Sequence, residues 1–301
     1  ILIEPERINR VFYSEEFNNA YWNRYSAAVT ANSQLAPDNN TTADLVYPSS
    51  TGALAGQVYK SVAGITLGNV VTVSVFVKAS GKNFAYIGPL YNFSPAAWFN
   101  LTTGAITNPI ANVTTSMTAF ANGWWRISVT STATATSFMT IGSTDAAGGV
   151  TNTASGNNGI LVWGAQVEVG TKVSSYIPTT TASVTRNADV ISDTGISTLI
   201  GQTEGTIYAE INNTLMTSYS TGYVMRIFAD ANNEVWIRKE SGTNTYTARW
   251  RANSVDVYTQ STIAVLNGNN KIAIAYKTGD SAVYLNGTQI GTSASTGAFA
   301  V

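Results

Sequence analysis

Seven residues have the types from which a sugar-binding surface is built: Tyr86, Tyr91, Trp98, Trp124 and Arg126, with Asn92 and Asn122 as amide neighbours. Aromatic rings offer flat apolar faces to sugar C–H surfaces, and amides or a guanidinium satisfy the hydroxyls. Tyr91 and Asn92 belong to a Tyr-Asn-Phe-Ser-Pro loop that ends at Pro95, with Trp98 just beyond it; Trp124 and Arg126 follow an Asn122-Gly123 turn. Core packing is the competing explanation for each aromatic taken singly. The Trp124-Trp125 pair is different, because neighbouring strand residues point to opposite faces. In a one-sided sheet one of the two must leave the core face, where it is open to a ligand, to the segment around Thr179 or to a neighbouring subunit.

Other chemistries are excluded or weak. The chain contains no His and no Cys, which removes Ser-His-Asp and Cys-His catalysis, His-ligated zinc, thiol nucleophiles and disulfides. Two-carboxylate hydrolysis would need acids about 5 Å apart. Glu234 and Glu240 flank one strand, and six residues of extended chain separate them by roughly 20 Å. No Glu-x-Asp-x-x-Glu string occurs, and no enzymatic activity is expected. Asp230-Ala-Asn-Asn233 gathers a carboxylate and amides in one loop, but such clusters are the chemistry of hairpin turns.

The elements that must position these residues are strands. Hydrophobic residues make up 44% of the chain, enough for a core, while charged residues are only 11%, far below the roughly 25% of an ordinary domain. Thr, Ser, Asn and Gly cover the surface instead, as suits a long-lived extracellular β-protein. A net charge of −1 offers no basic stripe for nucleic acid, and no apolar run approaches the roughly 20 residues that span a bilayer. The abrupt start at ILIEPERINR and the ending at AFAV read as a segment of a longer polypeptide.

Val71, Val73, Val75 and Val77 alternate with Thr72, Ser74, Phe76 and Lys78, predicting a strand with one core face and one partly wet face. Ser14 with Glu15 and Glu16 predicts one capped helical turn. Gly159–Val169 is apolar at nearly every position, with Leu161, Trp163, Ala165, Val167 and Val169 expected on one face. A Thr-rich connector follows, anchored by Tyr176 and Ile177. Beyond it, strands are expected at Thr206–Ile211, Tyr223–Ala229, Glu234–Lys239, Tyr246–Arg251, Lys271–Tyr276 and Ala282–Leu285, joined by turns such as Asn286-Gly287. The fold class is therefore all-β: two antiparallel β-sandwich (jelly-roll) domains, the second short of a strand or two at its C-terminus.

LIEPERINRVFYSEEFNNAYW, NGWWRISVT and WGAQVEVGTKVSSYIPTTTASVTRNAD, in this order, resemble virion structural proteins of tailed bacteriophages (tail, fibre or head-decoration type), in which the block is a carbohydrate-binding-module-like jelly roll. Ile8 and Arg10 depart from the Thr and apolar residue usual in the arm. GQTEGTIYAEI and NKIAIAYKTGDSAVYLNG are similar to the concanavalin A-like or laminin-G-like sandwich that follows it. The resemblance implies an arm over residues 1–25, a jelly roll over 26–178, a linker over 179–200 and the second sandwich over 201–301. It further implies a place on the virion exterior and attachment or display through host-surface glycans. Implied partners are other virion proteins and a homotrimer; no cofactor is implied beyond a structural calcium ion, which both folds sometimes hold. A purely architectural module and a polysaccharide depolymerase are the alternatives.

Overall fold

A computed structural model describes residues 4–88, 96–107, 110–133, 138–212, 221–240 and 244–299. It divides into two compact units, Ile1–Val190 and Ile191–Val301. Among the described residues helical structure is limited to the 3-10 turns Ala121–Gly123 and Ser197–Leu199, so the chain is all-β.

The first unit pairs two six-stranded antiparallel sheets. Sheet I runs, in spatial order, Ile106–Thr107, Ala97–Asn100, Phe84–Gly88, Phe138–Thr144, Gln57–Ser61 and Asn23–Tyr25. Sheet II runs Thr114–Ala119, Trp125–Thr132, Val70–Ser80, Gly159–Val169, Ala43–Pro48 and Ala27–Gln34. Consecutive strands are divided between the sheets, so the shared core draws from both: Val58, Ala85, Ile87, Met139 and Ile141 from one, and Val71, Val73, Val75, Val77, Ile127, Val129, Ile160 and Val162 from the other.

The central strands of sheet II are buried on both faces, which the alternation of its sequence does not predict. Thr72 and Ser74, expected to be partly wet, are fully buried. Gly159–Val169 also departs from strict alternation, because its register against Val70–Ser80 shifts between Trp163 and Gln166. Gly164 sits there at φ 65°, a left-handed conformation that glycine adopts without strain. The bulge reverses the parity, so Ile160, Val162, Ala165 and Val167 enter the main core. Leu161 and Trp163 turn to the outer face, where they pack with Phe76, Trp124 and Leu45.

The second unit pairs two four-stranded sheets. Sheet III is Glu204–Asn212, Asn269–Lys277, Ser281–Leu285 and Thr288–Ser293; sheet IV is the meander Gly222–Asp230, Asn233–Lys239, Thr245–Ala252 and Val255–Ala264. Ile207, Ile272, Ile274 and Val283 meet Val235, Ile237, Tyr246 and Trp250 between them. Thr288–Ser293 and Val255–Ala264 complete the sheets and are strands that periodicity missed. The second interrupts its pattern with Asp256, Gln260 and Ser261.

Candidate functional site

The segments that carry the sequence resemblance meet at sheet II: residues 4–9 and 174–177 engage its outer side, while Val11, Phe17 and Trp22 of the arm enter the main core. Arg7–Asn9 pairs antiparallel with Val184–Arg186, placing Ile8 opposite Thr185. The Asn9 side chain donates to Ala165 O (3.0 Å) and Ile177 O (2.8 Å) and accepts from Val167 N (3.1 Å), replacing ladder bonds that the bulged strand cannot make. Ser14 does not cap a helical turn. Its hydroxyl accepts from Thr179 N (2.9 Å) and bonds the Tyr176 hydroxyl (2.6 Å), because the buried connector offers donors that a surface turn would not.

A charged cluster lies beneath this clasp. Fully buried Glu168 accepts from Ser174 N (2.8 Å), Ser174 Oγ (2.7 Å) and Gln166 Nε2 (3.0 Å), and faces Arg7 at 3.5 Å. Arg126 donates to Ser174 O (2.7 Å) and Ser74 Oγ (3.2 Å). Burial draws its guanidinium down to about 10 against the pull of Glu168 and Glu4, so it remains charged at neutral pH. Glu4 accepts from Ser175 N (2.7 Å) and pairs with Arg186 (2.6 Å). Burial acts to raise the Glu4 carboxyl, but the bonds from Ser175 and Arg186 outweigh it and hold the group below its ordinary value. Asp44 ties the arm to a neighbouring strand by accepting from Phe17 N (2.7 Å), Asn18 N (3.2 Å) and Asn32 N (2.9 Å). There burial prevails over the three donors, and its carboxyl is raised.

Of the seven sugar-binding candidates, four prove to be structural. Arg126 belongs to the clasp. Trp124 is 1% exposed and donates to Leu35 O (3.3 Å), while Trp125 packs on the main core and donates to Leu101 O (2.9 Å). Trp124 is buried and Trp125 half-buried because the central strands of sheet II are packed on both faces. Tyr86 and Trp98 share one row of the outer face of sheet I with Gly142 and Gln57. Tyr86 is buried and donates to Gln57 Oε1 (3.1 Å), its ring lying where a Cβ on Gly142 would be. Trp98 donates to Gly149 O (2.7 Å). From there the chain crosses to Thr151–Asn152, which pairs with Gly52–Ala53 near the far end of the row. That strap, pinned by the Lys82–Asp145 ion pair, closes the row to ligand. Tyr91 and Asn92 lie outside the described residues.

Asn122 differs from the rest. It is exposed, and it borders an open depression together with Gln34, Leu35, Thr41 and Lys78.

On the second unit, the outer face of sheet IV carries an arginine–aromatic ladder. Arg226 lies over the rings of Tyr223 (4.5 Å) and Phe228 (3.8 Å), and Arg238 and Arg249 each lie 4.8 Å from Trp236. The guanidiniums are paired: Arg226 and Arg249 with Glu234, Arg238 with Glu240, Arg251 with Asp256. Burial would raise Glu234 and Glu240, yet their hydrogen-bond and arginine partners hold both low. The Asp230–Asn233 loop is a hairpin turn, in which Asp230 Oδ1 accepts from Asn232 N (2.7 Å) and Asn233 Nδ2 (3.2 Å). Among the described residues no three His, Cys, Asp or Glu side chains gather as a metal site. Sequence reading missed the buried roles of Glu168 and Asp44; the signal for Glu168 was a Gln-x-Glu pair inside an otherwise apolar strand.

No family model and no curated protein matches the chain. Among solved structures, the tripod from the baseplate of bacteriophage Tuc2009 aligns over 87% of this chain and 98% of its own length, at 11% identity and a TM-score of 0.23, a likeness too slight to carry an argument about fold or function.

Proposed function

We propose that this protein is a non-catalytic structural component of a tailed-phage virion, a fibre, spike or capsid decoration exposed on the particle and serving attachment or display through glycans. The observation that carries the reading is the clasp. The three segments that resemble phage virion proteins are far apart in sequence, yet they interlock on one sheet and satisfy one another's buried charges. A block built this way is an architectural module, and its surface is hydroxyl- and amide-rich rather than charged. Two features support the absence of catalysis: the chain lacks His and Cys, and Glu234 and Glu240, held low by hydrogen bonds from Trp236 and Thr247 and by their arginine partners, make poor general acids. Assembly is with other virion proteins and as a homo-oligomer, the trimer being the form that the resemblance implies.

A second reading, a virion module with no glycan ligand, is favoured by the burial of Tyr86, Trp98 and Trp124. Incubation of the chain with host envelope polysaccharide separates these readings. Attachment predicts saturable adsorption with no new reducing ends. Released reducing ends would establish a depolymerase instead, and absence of adsorption would leave the architectural module.

A further inference from the structure

The depression bordered by Asn122 lies where the clasp leaves the outer face of sheet II uncovered. Gln34 ends the strand Ala27–Gln34, Thr41 precedes Ala43–Pro48, and Asn122 occupies the turn before Trp125–Thr132. Lys78 follows Phe76 on the outer row of Val70–Ser80, opposite Leu161. Two indoles beneath fix the rim: Trp124 donates to Leu35 O (3.3 Å) and Trp163 to Thr42 Oγ1 (3.0 Å). The backbone that presents the lining is thus held by buried side chains, as preorganised recognition requires.

The lining side chains are not spent on the protein itself. Among the described residues, Gln34, Thr41, Lys78 and Asn122 have no intramolecular hydrogen-bond or ion-pair partner, whereas Tyr86, Trp98, Trp124 and Arg126 all do. The Lys78 stem runs beside the turn, its Cε 3.8 Å from the point where a Cβ on Gly123 would stand. The one carboxylate in the neighbouring loop, Asp38, is engaged by Asn40 N (3.0 Å) and Asn40 Nδ2 (2.7 Å). Apolar contact comes from Leu35, 55% exposed, with Phe120, 43% exposed, two residues before Asn122.

One ammonium, two amides, one hydroxyl and an apolar wall match a sugar that carries an acid group. We propose that this depression binds an acidic sugar residue. The carboxylate sits on Lys78, the ring hydroxyls on Gln34, Thr41 and Asn122, and a C–H face on Leu35. The assignment rests on the attachment reading above and gives it a site and a ligand class.

Titration of the full chain with methyl glucuronide, methyl glucoside and inorganic phosphate, followed by amide chemical shifts, tests it. Methyl glucuronide is expected to bind saturably with a dissociation constant of about 1 mM and to shift the amides of the 121–123 turn; methyl glucoside should bind about tenfold more weakly, the worth of one charge-assisted hydrogen bond. Lys78→Gln should abolish the difference between the two sugars, and Asn122→Ala should weaken both. Lys78 has no side-chain partner to lose, so Lys78→Gln should keep the wild-type unfolding midpoint; Asn122 stands at φ 59°, where Ala is less favourable, so Asn122→Ala should lower the midpoint slightly while the chain stays folded. Equal binding of the two sugars, an unchanged preference in Lys78→Gln, or phosphate binding as tightly as the glucuronide would overturn the proposal. If Lys78→Gln adsorbs to envelope polysaccharide as the wild type does, this site fails while attachment stands; if neither adsorbs, attachment fails and the titration still decides the site.

Discussion

Glu168 shows how the first unit uses its few charges. A buried carboxylate is tolerated only when its lone pairs are satisfied and a cation is close, and here Ser174, Gln166 and Arg7 meet both conditions. Glu168→Ala should therefore destabilise the first unit by about 3 kcal/mol or more, read from urea unfolding of the chain. The partly exposed Glu240, in the same experiment, should change stability by no more than about 1 kcal/mol when replaced by Gln. Glu4 gives the clasp a pH response. Its folded value lies below the ordinary 4.5, so its stabilisation is complete above 4.5 and is lost as pH falls through the lower folded value. Asp44 and Glu15, both raised by burial, act oppositely: their contribution is present below their ordinary values and lost as pH rises through the folded ones. Amide protection at Ser175, which donates to Glu4, should consequently fall as pH drops below about 4.5. In Glu4→Ala that protection should already be weak at pH 7.

Two glycines decide how the strands present their side chains. At Gly164 a Cβ would stand 3.0 Å from Phe76 Cδ2 and 3.3 Å from Tyr176, in a backbone conformation unfavourable to L residues. Gly164→Ala should cost about 1–3 kcal/mol and loosen the packing of the connector, seen as faster amide exchange at Ile177. At Gly142 a methyl group would overlap the Tyr86 ring, and overpacking there should cost a similar amount, about 1–3 kcal/mol. These positions mark the limit of what the sequence shows. Val71 to Val77 reads directly as a strand, and the Asn286-Gly287 turn as a hairpin, because both signals are local. The parity reversal at Gly164 and the packing that covers Trp124 depend on a bulge and on residues remote in the chain, Leu35 being 89 positions from Trp124, which no window of sequence contains. Asn122 was legible as an amide in a turn. Lys78, one alternation step beyond Phe76, read as an ordinary strand-end cation, because its neighbours Gln34 and Thr41 come from another strand and its loop.

At the scale of the molecule, the two compact units are joined through an exposed segment. Val190 is 85% and Leu199 80% exposed, without strand pairing. Low concentrations of a broad-specificity protease should cut first between 187 and 199, leaving two resistant fragments that divide near Val190; early cutting inside either sandwich would contradict the unit boundaries. The first sandwich spends its recurring motifs on holding itself together. That economy suits the proposed role of a part that persists on a particle and presents a surface. The most direct test of this account is antibody labelling of purified, intact virions with serum raised against the chain. The account predicts gold at a fixed position on the particle exterior. Antigen found in the host lysate but absent from purified particles would contradict it.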